Sequence, residues 1–166
     1  MHEKTFRDLG SGFVVNRKAF TLIELLVVVA IIGILAAVGV VAYNGYTSSA
    51  KKSATKNIHQ TVAKYLQAEL QKCSLGETYL LNYMDCKYLT NQTAINQLEQ
   101  IFIARGFKNP YKNTAPAALP GTSYVQGQVS LSVNGTNEIL LKTCTVYQNG
   151  TTCSESDKLI TSIIVE

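Results

Sequence analysis

A chain of 166 residues has room for one ordinary domain and an appendage. Hydrophobic residues make up 46% and charged residues 16%, high and low for a soluble domain. The formal net charge is +4, and the first nineteen residues contribute Lys4, Arg7, Arg17 and Lys18 against Glu3 and Asp8. What remains is 11 basic and 9 acidic residues, too weak an excess to require nucleic acid as a partner.

The apolar excess is local. Phe20 to Ala42 holds one ionisable side chain, Glu24. A run of about 20 apolar residues crosses the hydrocarbon of a bilayer as a helix. A secretory signal peptide is the rival reading, but the run is too long and no A-x-A-like site closes it. A retained single-pass anchor fits better. Arg17 and Lys18 abut its N-terminal edge, which favours a cytoplasmic N-terminus. The four cysteines (Cys73, Cys86, Cys144, Cys153) all lie beyond the apolar run, on the side that would then be oxidising. Glu24 stands out, because a carboxylate within an apolar span is costly and calls for a partner. Either it stays wet near the interface, or another molecule supplies a cation, such as the new N-terminal ammonium of a neighbouring copy.

Lys18-Ala19-Phe20-Thr21-Leu22-Ile23-Glu24-Leu25-Leu26 resembles the processing site of type IV prepilins and the related pseudopilins. The likeness covers roughly Arg17 to Tyr46. It implies a leader at 1–19, cleavage by a prepilin peptidase between Ala19 and Phe20, and N-methylation of Phe20. It also implies an assembly role for Glu24, paired with the terminus of an adjacent subunit. Two departures are visible: Ala19 stands where the family usually has glycine, and Val41 stands where many major pilins have a proline. The implied partners are identical or related pilin subunits, the prepilin peptidase, the inner-membrane assembly machinery and the lipid bilayer. The implied location is the inner membrane first and an extracellular pilus after assembly.

Beyond the span, Ala54, Ile58, Val62, Leu66 and Leu70 recur every four residues with Tyr65 beside them, predicting an amphipathic continuation. One helix from about Phe20 to Lys72 would be about 80 Å long, with Ser74-Leu75-Gly76 as its exit. Four cysteines allow three pairings; Cys73–Cys86 and Cys144–Cys153 are favoured because each closes a short loop. Zinc ligation and free thiols are the alternatives, and zinc lacks a short C-x2–4-C pair. Thr93 could cap a second helix from about Ala94 to Arg105, stopped by Gly106. Asn109 to Gly121 contains every proline and reads as a loop.

Alternation from Val125 to Val133 predicts a strand, Asn134-Gly135 a hairpin turn, and Glu138–Tyr147 and Leu159–Val165 two more strands. The expected fold is α+β: a long N-terminal helix, half transmembrane and half amphipathic, packed on a small antiparallel sheet, with domains at 1–19, 20–42 and 43–166. No catalytic constellation, cofactor site or metal site emerges, and the chain reads as non-enzymatic. His59 is an exposed or head-facing polar residue rather than a base. Glu155 and Asp157 offer too few oxygens for calcium. The sequons at Asn91, Asn134 and Asn149 fall largely on turns. By the resemblance, the function is a structural subunit of a type IV pilus for adhesion, motility or DNA uptake. A secretion-system pseudopilin is the alternative, and a DNA-binding minor pilin an alternative of another class.

Overall fold

A computed structural model describes residues 20–80, 84–88 and 91–165. They fall into two compact units, one ending at Ala42 and the other running from Tyr43 to Glu166. In the first unit, helix α1 (Leu22–Ser74, which continues into the second) is formed by an unbroken apolar run from Leu25 to Ala42. None of its described side chains there is buried.

The second unit is an α+β domain. Its helices are the outer part of α1 and α2 (Gln92–Ala104). Its main sheet joins β3 (Ala118–Pro120), β4 (Val129–Asn134), β5 (Glu138–Cys144) and β8 (Lys158–Ile164) in the order β3-β4-β5-β8. Two small hairpins complete it: β1 (Tyr79–Leu80) with β2 (Met84–Asp85), and β6 (Tyr147–Gln148) with β7 (Thr152–Cys153).

The three expected strands form an antiparallel meander, with Leu131 opposite Leu141 and Leu141 opposite Thr161. The region read as a loop does more than connect. Its end supplies β3, paired parallel to β4 with Ala118 opposite Val129. Pro120 is compatible with this because it ends a strand at the sheet edge, where a missing N–H is tolerated. The alternation at Val125–Gln128 does not become strand. Gly127 takes φ +72°, and a Cβ there would lie 2.2 Å from Asn109 Oδ1, so only glycine fits. That oxygen is already committed, accepting from Tyr111 N at 2.8 Å, while Asn109 Nδ2 donates to Gln126 O at 2.8 Å.

α2 begins two residues earlier than expected. Asn91, not Thr93, is the N-cap, its side-chain oxygen accepting from Thr93 N at 3.1 Å. At its other end Gly106 takes φ +76°, Gly106 N donates to Ile103 O and Phe107 N to Phe102 O. The Phe102 and Phe107 rings meet edge to face, centroids 6.0 Å apart, completing a Schellman closure. α1 closes in the same way, Glu77 N reaching Lys72 O at 3.1 Å.

The core lies between α1, α2 and the inner face of the sheet. Val62, Leu66, Ile95, Leu98, Phe102, Leu131 and Leu141 are fully buried, each worth roughly 1.5–3 kcal/mol. The buried face of α1 is Thr55, His59, Val62, Ala63, Leu66, Glu69 and Leu70, not the strict every-fourth-residue stripe. A step of four residues advances a helix 40° too far each time, so a face is tracked by alternating steps of three and four. That places the polar Thr55, His59 and Glu69 inside, which the apolar pattern could not show.

Candidate assembly segment and the head that follows it

Thr21 opens α1. Its hydroxyl accepts from Glu24 N at 3.3 Å, and Glu24 Oε2 accepts from Thr21 N and from Thr21 Oγ1, both at 2.8 Å. The T-x-x-E spacing thus makes a reciprocal capping box, and a carboxylate in the first turn also suits the helix dipole. Glu24 therefore has a local partner within its own chain, which the spacing could have shown. Phe20 precedes the cap and is 85% exposed, whereas Ala19 lies outside the described residues.

From Leu22 to Val41 the large apolar side chains are 48–81% exposed. The helix that carries them is long and apolar enough to cross a membrane. So continuous an apolar surface marks an interaction surface, whether the partner is lipid or protein.

In the head, the structure bonds Cys73 to Cys86 and Cys144 to Cys153, and among the described residues no cysteine is free. The second bond encloses the β6–β7 hairpin, whose tip Asn149 adopts φ +51°. The segment after that hairpin is fastened to α1 by Asp157. Its carboxylate accepts from Lys52 Nζ at 2.7 Å, Thr145 Oγ1 at 2.9 Å and Ser154 Oγ at 2.8 Å. These bonds, Lys52 first, hold its pKa down to about 2. Glu155 pairs instead with Lys158. The two acids weighed for calcium thus have separate cationic partners, and no group of metal ligands occurs among the described residues.

His59 is buried against the sheet, with Nδ1 2.9 Å from Thr143 Oγ1 and Nε2 2.9 Å from Thr161 Oγ1. Burial pushes its pKa down. It is a head-facing polar link between helix and sheet. Of the sequons, Asn91 is the α2 cap and Asn134 Nδ2 donates to Glu138. Tyr111 Oη donates to Thr145 O at 2.6 Å, and Tyr147 Oη to Tyr124 O at 3.2 Å, so these tyrosines are packing residues. Tyr83 lies outside the described residues.

An apolar N-terminal helix joined to an α+β head of this kind defines a pilin-like protein. Residues 15–40 match the family model of the prokaryotic N-terminal methylation motif. The chain is 47% identical over 64 residues to the type IV major pilin protein PilE1 of Neisseria gonorrhoeae, covering 39% of this chain and 33% of that protein. Fimbrial protein of Neisseria meningitidis serogroup B gives the same identity over the same length, covering 32% of that protein. The match thus spans about a third of the length of these relatives. No solved structure matched the chain. Over its N-terminal part, then, the chain is similar to type IV pilins.

Proposed function

We propose that the chain is a structural subunit of a type IV pilus, of the kind that serves adhesion, motility or DNA uptake. In this reading residues 1–19 are a leader removed by a prepilin peptidase between Ala19 and Phe20, and Phe20 becomes a methylated terminus. Residues 20–42 anchor the subunit in the inner membrane, head outside, until the assembly machinery draws it into the filament. There the apolar helices bury one another. Residues 43–166 form the outer helix and the displayed head.

The observation that carries the reading is the methylation motif standing at the start of a helix whose large apolar side chains from Leu22 to Val41 are all exposed. The names of the relatives support a pilus subunit over a secretion pseudopilin. Glu24 keeps its assembly role with a refinement: it caps its own helix and presents the remaining charge to the ammonium of a neighbour.

The capping box gives a test that separates the two tasks. Glutamine can cap as glutamate does, but it carries no charge. Glu24→Gln should be inserted and processed, with mass spectrometry showing a chain that begins at a methylated Phe20, yet yield no filaments. Filaments at wild-type abundance from Glu24→Gln, or a mature protein that retains residues 1–19, would overturn the proposal.

A further inference from the structure

Asn-Gly occurs three times in the chain, at Asn44-Gly45, Asn134-Gly135 and Asn149-Gly150. It is the pair in which an asparagine side chain reacts most readily with its own backbone. Glycine has no Cβ to crowd a five-membered ring closing at its nitrogen. The structure gives the three pairs different freedom. Asn44 and Gly45 lie inside α1, where each N–H is engaged by the carbonyl four residues before it. Asn134 ends β4 opposite Glu138, and its Nδ2 donates to the Glu138 carboxylate. Asn149 stands at the exposed tip of the β6–β7 hairpin, and among the described residues nothing bonds its side chain. Nor does any described backbone acceptor take the N–H of Gly150.

The local sequence does not make this distinction, because Asn134 and Asn149 both begin the triplet Asn-Gly-Thr. An added Cβ would meet nothing within 4 Å at Gly135 or at Gly150, so crowding does not make it either. What separates the two is the bond to Glu138. A hydrogen bond to a charged acceptor that must first be broken slows a reaction about tenfold or more.

We propose that Asn149 is a site of spontaneous deamidation in the folded head, with water as the co-reactant. The Gly150 nitrogen attacks Cγ of Asn149, and the new N–Cγ bond forms as the Cγ–Nδ2 bond breaks. Nδ2 leaves as ammonia, taking the proton that Gly150 N gives up. Water then adds to either carbonyl of the succinimide ring and opens that C–N bond. Addition at Cγ leaves aspartate; addition at the main-chain carbonyl leaves isoaspartate, whose chain runs through Cβ. Either product puts a carboxylate at the tip of a loop, Cys144 to Cys153, that otherwise holds no charge. Isoaspartate also adds a main-chain atom between Gln148 and Thr152, which pair across the hairpin. The disulfide at the base confines that change to the tip. An old copy of the head thus differs from a new one by one negative charge.

The chemistry needs only this chain and water, so its failure and that of the pilus reading are distinct. The full chain, folded in detergent, is incubated in heavy-oxygen water at mildly alkaline pH, and peptide mapping by mass spectrometry follows each asparagine. Residue 149 should gain one labelled oxygen as a mixture of aspartate and isoaspartate, with Asn134 and Asn44 at least about tenfold slower. In the reduced, denatured chain Asn134 should convert as fast as Asn149. Glu138→Ala should bring Asn134 up to the rate of Asn149 in the folded chain, with thermal unfolding showing that the head is intact. Equal rates at residues 134 and 149 in the folded wild type, or aspartate formed without isoaspartate, would each overturn the proposal. So would a folded Asn149 that stays unchanged while the denatured chain reacts, or no gain at Asn134 from Glu138→Ala.

Discussion

Leucine, isoleucine and valine fill both the stretch from Phe20 to Ala42 and the core around Leu66, with opposite results. In the head they are enclosed by α2 and the sheet. In the N-terminal stretch none of the described side chains is buried. The same chemistry therefore stabilises the head from within and drives the N-terminal helix towards an external partner. The two regions also treat their acids differently. Among the described residues Glu24 is held by Thr21, one turn away, whereas Asp157 ties together residues as distant as Lys52 and Thr145. Local bonds keep a group in place without committing it; long-range bonds build a fold.

The largest expected effect tests whether the two apolar regions are energetically separate. Phe102→Ala should destabilise the head by about 3–5 kcal/mol, read by denaturant unfolding in detergent with near-ultraviolet dichroism. Leu35→Ala, an equally apolar site, should leave that transition where it was. A comparable loss from Leu35→Ala would end the distinction.

Next comes Gly127→Ala, where a methyl group would displace Asn109 Oδ1 from a backbone already at positive φ. A loss of about 2 kcal/mol is expected, from steric displacement and backbone strain together. The same change at Gly33, where an added Cβ would meet none of the described residues beyond its own helix turn within 4 Å, should not lower head stability.

The Asp157 anchor gives a smaller, pH-dependent effect. Its carboxyl sits at about 2 in the fold against an ordinary 3.8. Its contribution is therefore present above about pH 4 and is lost as pH falls through about 2. With Lys52 partly exposed, screening leaves about 1 kcal/mol. Lys52→Met should flatten most of that acid step.

His59 should contribute the shallowest slope. Burial lowers its pKa from the ordinary 6.5, so its contribution is complete above pH 6.5 and declines as pH falls below that value. His59→Gln should remove that slope, checked by thermal unfolding between pH 7 and pH 5.

Much of the fold was legible because its signals are local. The apolar run, the Asn134-Gly135 turn with its flanking strands, and the Gly106 helix stop each follow from residues within a few positions. At the candidate site the Phe-Thr-Leu-Ile-Glu run was equally plain, and its T-x-x-E cap was present but unread. The N-cap at Asn91 was missed because Thr93 is an equally good capping residue by type, and only the backbone decides between them.

By itself, then, the amino-acid order determined the N-terminal helix, its acid, and in the head α2 and the three strands β4, β5 and β8, since periodicity and turn chemistry act over short spans. Only the tertiary structure decided the parallel placing of β3, the burial of His59 between Thr143 and Thr161, the Lys52–Asp157 tie and the pairing of β8 with β5. Each of these depends on groups far apart in the chain coming within bonding distance, which leaves no periodic trace in the sequence.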